Sequence, residues 1–173
     1  SQASEELEEY TDYVIDRHYP HLNNNNKKYA DFFDEVMQSS IDMVVEWMRV
    51  GFIHGVMNTD NMRIDGETFD YGPCTVMNYY DEDAVFSSVD KRGRYSFGNQ
   101  KPILKWNLGR FAESLKQLFQ ESSHAFDELE ARLGNFEEMF DAKYHSMMRK
   151  KLGIKSDGEE AIVDAFLDWL RES

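Results

Sequence analysis

Apolar positions recur at helical spacing over most of this chain. The clearest run is Asp31 to Val50, where Phe33, Met37, Ile41, Val44 and Met48 follow at steps of four, four, three and four. Phe32, Val36 and Val45 widen that stripe to the face a packed helix needs. Asp34, Glu35, Asp42 and Glu46 mostly flank it, most of them read as solvated, and Gly51 reads as the C-cap. Upstream, Glu5 to His18 aligns Leu7, Tyr10 and Val14, with Ile15 beside them, and stops at Tyr19-Pro20. Asn23 to Asn26 with Lys27-Lys28 reads as a loop. Three further amphipathic helices are predicted. Trp106 to Gln120 carries Leu108, Phe111, Ala112, Leu115 and Leu118. Ser123 to Leu152 carries Phe126, Leu129, Leu133, Phe136, Phe140 and Met147, with a break expected near Gly134-Asn135. Glu159 to Arg171 carries Ile162, Ala165, Phe166, Trp169 and Leu170, the last two left to pack on something. Met139, Met147 and Met148 read as core packing, the commoner use of methionine.

The helical pattern is interrupted between Gly51 and Pro73. Met62 to Ile64 and Thr68 to Phe69 are short strand-like runs around Asp65-Gly66, which predicts a hairpin. A hairpin there would bring Asp60 and Asn61, before it, near Asp70, after it. Two carboxylates and a carboxamide are hard oxygen donors of the kind Mg²⁺ or Mn²⁺ takes. Capping explains any one of them singly; three converging around one turn are harder to explain so. Cys74 to Gln100 is rich in Asp, Ser, Tyr and Gly and lacks periodicity, too long for a plain connector.

Composition narrows the class. With 173 residues, 41% hydrophobic and 14% aromatic, the chain can bury a core and is not a disordered one. A net charge of −14 argues against nucleic acid as a partner, since phosphate contacts need clustered Lys and Arg. No apolar run approaches the ~20 residues that span a bilayer, so no membrane partner is expected. The lone Cys74 cannot form an internal disulfide, and its expected role is that of a small buried hydrophobe. With no secretory leader visible, cytoplasm is the expected location, or the mitochondrion in a eukaryote. His18, His21, His124 and His145 show no metal-ligand spacing and read as exposed. No Gly-x-Gly-x-x-Gly and no Walker motif occurs.

His54-Gly-Val-Met-Asn-Thr-Asp-Asn61, followed by Asp70-Tyr-Gly-Pro73, resembles the catalytic half of a protein kinase. There a His-containing loop ends in a metal-binding Asn, and a later Asp-Phe-Gly supplies a metal-binding Asp. One departure matters: the position two after His54, where kinases keep the catalytic Asp, is Val56. The wording of these motifs is similar to the selenoprotein O (YdiU) family, and the similarity continues through Ser96, Asn99-Gln100 and Trp106-Asn107-Leu108. That family has a kinase-like fold and moves AMP, not phosphate, from ATP onto protein hydroxyls. The resemblance implies that Asp60 is the general base, that Asn61 and Asp70 hold the divalent metal, and that Asp70 thereby also binds the nucleotide. It implies a structural His54 and partners in ATP and hydroxyl-bearing proteins. It further implies that a preceding lobe of the same protein, absent here, supplies the phosphate-clamping Lys and Arg.

The expected fold is therefore mainly α with a small β-hairpin, a protein-kinase-like C-lobe forming one domain over residues 1–173. Within it the catalytic loop is 52–61, the hairpin 62–69, the Asp-Tyr-Gly 70–72, an activation-like segment 74–100 and the helical part 104–173. Asp90 in that segment reads as a cap or as a partner for Arg92 and Arg94, whose own roles are structural or substrate-binding. Two rivals remain open: a non-catalytic interaction module, which Val56 favours, and a phosphate-transferring kinase with a relocated base.

Overall fold

The computed structural model describes residues 2–119, 125–155 and 160–172. Six α-helices, two short strands and three short 3-10 turns make up the regular structure of the described residues: α1 (Gln2–His18), α2 (Lys28–Val50), β1 (Phe52–Ile53), β2 (Thr75–Val76), α3 (Gln100–Leu115), α4 (Ala125–Gly134), α5 (Phe136–Leu152) and α6 (Glu160–Glu172), with the turns at Pro20–Leu22, Thr59–Asn61 and Lys116–Phe119. Helix α2 is the centre. Its stripe residues Phe33, Ile41 and Val44 are wholly buried, and α3, α4, α5 and β1 all pack on it. Gly51 ends α2 in the left-handed conformation (φ 71°, ψ 24°), its N–H returning to the Met48 carbonyl, and the chain enters β1. No described helix is long and apolar enough to cross a membrane.

Boundaries differ from the sequence reading where local chemistry extends an element. Helix α2 begins at Lys28 rather than Asp31, because the Asn25 side-chain and main-chain oxygens accept the Lys27 and Lys28 N–H groups and start the helix early. Helix α3 begins at Gln100 rather than Trp106. Pro102 falls in its first turn, where the missing N–H has no intrahelical partner to lose. The break near Gly134-Asn135 is present, separating α4 from α5. Ser123, His124 and Glu159 lie outside the described residues. In α6 the buried face is Val163 and Leu167, while Ile162 and Trp169 are half exposed or more. Phe166 and Leu170 of the expected stripe are partly buried and pack on the core beside Val163 and Leu167, so the face is rotated by about one residue rather than replaced.

The flanking acidic residues of α2 are mostly solvated, and Asp34 is the exception that matters for packing. Asp34 is partly buried, and with Asp31 and Glu128 it surrounds Arg132 of α4. Burial pushes the Asp34 carboxyl above its ordinary range even against that guanidinium.

The expected hairpin over 62–69 does not form strands. The chain turns there, but Gly66 N–H bonds the Arg63 carbonyl, so Ile64 and Asp65 hold the central positions and Gly66 (φ 71°) the last. Asp65 spends its carboxylate locally, on Arg63 and on the Glu67 N–H. Tyr19 donates its hydroxyl to the Ile64 carbonyl, and Gly66 lies against Ser39 with no room for a Cβ. The turn is docked on α1 and α2 one backbone group at a time, which leaves two- and three-residue arms nothing to gain from pairing. The antiparallel pair is instead β1 with β2, in register Phe52 to Val76 and Ile53 to Thr75.

Candidate functional site

Pairing of β1 with β2, extended by the Met77 N–H to the Gly51 carbonyl (2.9 Å), closes the excursion from 51 to 77 at its base. Inside it the two loops that carry the candidate residues are pinned together twice. His54, fully buried, donates from Nε2 to the Phe69 carbonyl at 2.8 Å. Its Nδ1 accepts the Val56 N–H at 3.4 Å, which places the proton on Nε2. Gly55 (φ 85°) then passes so close to Pro73 that a Cβ would overlap its carbonyl oxygen. Trp47 adds a bond from its indole N–H to the Thr68 hydroxyl at 2.8 Å. Residues 54–55 and 68–73 thus form one unit on the end of α2.

Asp60 and Asn61 stand in a 3-10 turn, Thr59–Asn61. Asn61 donates its Nδ2 to the Val56 carbonyl at 3.0 Å, which fixes the amide and leaves Oδ1 as a free acceptor. Asp60 and Asp70 are both exposed, and neither carboxylate has a hydrogen-bonding or ionic partner among the described residues. Asp70 is the one non-glycine described residue with positive φ (55°), a conformation whose cost Asp tolerates better than most residues. Tyr71 follows with its ring edge on Phe52 at 6.2 Å, and a Cβ on Gly72 would lie 3.3 Å from Asp70 Oδ1. Among the described residues no group of three or more His, Cys, Asp or Glu could hold a metal. The donor set at this loop is two carboxylates and an amide oxygen, hard ligands that suit Mg²⁺ or Mn²⁺.

Sequence reasoning missed the scaffold under the loop. Gln100, fully buried at the start of α3, accepts the His54 N–H at 3.1 Å and donates to the Phe52 carbonyl at 3.1 Å. Asn107 donates to the Met57 carbonyl at 3.0 Å. Tyr95 donates its hydroxyl to Asn58. The available signal was Asn107 itself, an amide within the apolar stripe Leu104, Leu108, Phe111. Asp90 caps a turn, its carboxylate accepting the Arg94 and Tyr95 N–H groups at 2.9 and 2.7 Å. Arg94 lies over the Trp106 ring at 4.9 Å. Cys74 is half-buried rather than in the core, its thiol donating to the Tyr71 carbonyl at 3.3 Å. His145 is also half-buried, bonded to the Asp141 carbonyl and to Asp164.

A family model described as "Protein adenylyltransferase SelO" matches residues 1–173. The chain belongs to the SelO family. Curated relatives named "Protein nucleotidyltransferase YdiU" are similar throughout. That of Alcanivorax borkumensis is 44% identical over 167 residues, 95% of this chain and 34% of the relative. Those of Rhodococcus jostii and Pelagibacter ubique are 45% and 42% identical over 99% of this chain, covering 35% and 36% of the relatives. The chain therefore spans about a third of the length of the SelO relatives it matches.

Proposed function

We propose that this chain supplies the catalytic loop and metal-binding half of an ATP-dependent protein adenylyltransferase with a kinase-like C-lobe. The observation that carries the proposal is the pinning of Asp70's segment to the loop of Asp60 and Asn61 by buried His54 and by Gly55, with both carboxylates left unpaired. Two exposed carboxylates without partners, on segments that His54 and Gly55 hold together, have no hydrogen-bonding work to do among the described residues. Membership of the SelO family supplies the reaction class.

In this reading Asp60 accepts the proton of a Ser, Thr or Tyr hydroxyl on a protein substrate. The hydroxyl oxygen bonds to the α-phosphorus of ATP, and the bond to pyrophosphate breaks. Val56 cannot accept that proton, being apolar, and Asp60 is the next carboxylate along the loop. Asn61 and Asp70 would hold Mg²⁺ or Mn²⁺, which would supply charge neutralisation at the phosphates. In this reading the Lys and Arg that clamp the phosphates come from a part of the longer protein outside this chain, so this chain alone binds ATP weakly.

The test uses the longer protein carrying this segment, with ATP labelled separately on the α- and γ-phosphates. Label reaching protein from the α position is expected, and Asp60→Ala should lose ~10²–10⁴-fold in rate while keeping ATP. Label from γ alone would make the enzyme a kinase. Label from neither, with Asp60 and Asp70 intact, would support the non-catalytic reading that Val56 favours.

A further inference from the structure

The segment between β2 and α3 carries three cations within four positions, Lys91, Arg92 and Arg94, in a chain with 33 acidic residues against 19 basic ones. All three are exposed, and none meets a carboxylate among the described residues. Lys101, Arg132 and Lys143 show the commoner outcome in this chain, each paired with one or more acids. Where acid is in such excess, three uncompensated cations in one turn are a charge the fold itself does not use.

The turn that carries them is held in place. Asp90 accepts the Arg94 and Tyr95 N–H groups at 2.9 and 2.7 Å, so its carboxylate is spent on the turn's own backbone. Asn99 donates its Nδ2 to the Gly93 carbonyl at 2.6 Å. The Arg94 guanidinium lies 4.9 Å from the Trp106 ring centre and 5.7 Å from that of Tyr95, contacts that fix its position without neutralising its charge. The same two aromatics tie the turn to the candidate loop. The Tyr95 hydroxyl donates to Asn58, two positions before Asp60, and Asn107, next to Trp106, donates to the Met57 carbonyl. Apolar side chains stand beside the charge. Val85 (40% exposed), Val89 (82%) and Trp106 (45%) are open to solvent, and Val85 Cγ2 lies 3.5 Å from where a Gly93 Cβ would be.

We propose that this turn is the docking surface for an acidic stretch of the acceptor protein, one that carries apolar residues among its carboxylates. The proposal rests on the reading that a protein hydroxyl is the acceptor, and it specifies the sequence around that hydroxyl. Carboxylates of the stretch pair with Lys91, Arg92 and Arg94, and its apolar residues cover Val85, Val89 and Trp106. Docking there leaves the hydroxyl beside the loop of Asp60, which Tyr95 joins to the turn through Asn58. A basic stretch would meet three like charges, and a purely apolar one would cover cations without giving them partners.

Three synthetic peptides are the probes, each a serine between leucines, flanked by glutamates in the first, glutamines in the second and lysines in the third. Each is titrated without nucleotide into the 173-residue chain and followed by amide chemical shifts. The glutamate peptide should give saturable shifts from Val89 to Tyr95 and at Trp106, with Kd at or below about 1 mM. The glutamine peptide should bind roughly 3–30-fold more weakly, the lysine peptide more weakly still, and about 0.5 M salt should erase most of the difference. Lys91→Gln combined with Arg92→Gln should weaken the glutamate peptide by roughly 2–10-fold, and Arg94→Gln by roughly 2–5-fold. Lys91 and Arg92 are exposed and without partners among the described residues, so their replacement keeps the test decisive if Arg94→Gln disturbs the contact with Trp106. In the longer protein the glutamate peptide should accept α-label with the lowest KM, and the double substitution should remove that preference. Loss of label transfer to every acceptor would sink the reaction class, whereas the surface is judged by the nucleotide-free titrations. Equal binding of the three peptides, binding indifferent to the substitutions, or shifts at the turn from inorganic triphosphate and none from the glutamate peptide overturns the proposal.

Discussion

Gly55 is the point where the structure makes its most exacting demand on a single residue. Its φ of 85° lies in the region L side chains avoid, and a Cβ would overlap the Pro73 carbonyl oxygen. Gly55→Ala therefore carries two costs. Forcing a side chain into left-handed backbone costs about 1–2 kcal/mol. Relieving the overlap moves backbone, not a flexible side chain, at a typical overpacking cost of about 1–3 kcal/mol. The sum, roughly 2–5 kcal/mol, corresponds to a drop in Tm of roughly 5–15 °C for a domain of this size. Gly134 is the internal control. It ends α4 with no atom within 4 Å of a Cβ and no positive φ, so Gly134→Ala should be neutral or stabilise by up to about 1 kcal/mol. Thermal unfolding followed by circular dichroism compares the two directly. Hydrogen exchange should in addition show faster exchange at Val56 and at Tyr71 to Cys74 in Gly55→Ala alone. If Gly55→Ala melts within about 2 °C of the parent while Gly134→Ala behaves as expected, the loops are not pinned as described.

Three further outcomes test other parts of the molecule. Arg132→Met removes the cation shared by Asp31, Asp34 and Glu128 and should destabilise by roughly 1–3 kcal/mol, discounted for partial exposure; urea unfolding with an unchanged slope checks it. His145 is pushed down by burial but lifted overall above its ordinary value by Asp164, the Asp141 carbonyl and Glu160. A raised folded pKa means the α5–α6 contribution is fully present below the ordinary histidine value and is lost as pH rises through the raised one; Asp164→Asn should flatten that slope in stability measured against pH. Asp70→Asn keeps a residue that tolerates positive φ while removing a charge, so stability should stay within about 0.5 kcal/mol of the parent and nucleotidyl transfer by the longer protein should be lost; an unfolded variant would make Asp70 structural.

Helix α2 could be read because a long apolar stripe has few alternative folds, and the break at Gly134-Asn135 because both residues disfavour helix interiors. The start of α3 was hidden by Pro102, which reads as a stop but is harmless within a first turn. The face of α6 was ambiguous because Phe166 and Leu170 fit helical spacing with Ile162 and Trp169 as well as with Val163 and Leu167, and docking on α5 buries the second set. The turn at Asp65-Gly66 was legible, but its pairing was not. Strand formation depended on what the arms would face, and Tyr19, Ser39 and Trp47 had already engaged the segment. At the site, the identities and spacing of Asp60, Asn61 and Asp70 stand in the sequence. What holds their segments does not, because the acceptors are backbone carbonyls at Phe69, Val56 and Met57, which every residue possesses.

The scaffold that does this holding is made of neutral side chains, and that choice has a consequence for the carboxylates. His54, Gln100 and Asn107 are buried amides and an imidazole bonded to backbone. A buried Lys or Arg could reach the same carbonyls, but its charge would carry a desolvation cost and would act on Asp60 and Asp70 through a low-dielectric interior. Those carboxylates would then be partly neutralised from below. Neutral donors fix the loops without placing that field beneath Asp60 and Asp70. Asn61 follows the same logic: its N–H is spent on the Val56 carbonyl, and its oxygen has no partner among the described residues. A Lys or Arg at position 61 could donate to the same carbonyl but would put a cation where the proposed site needs an oxygen acceptor.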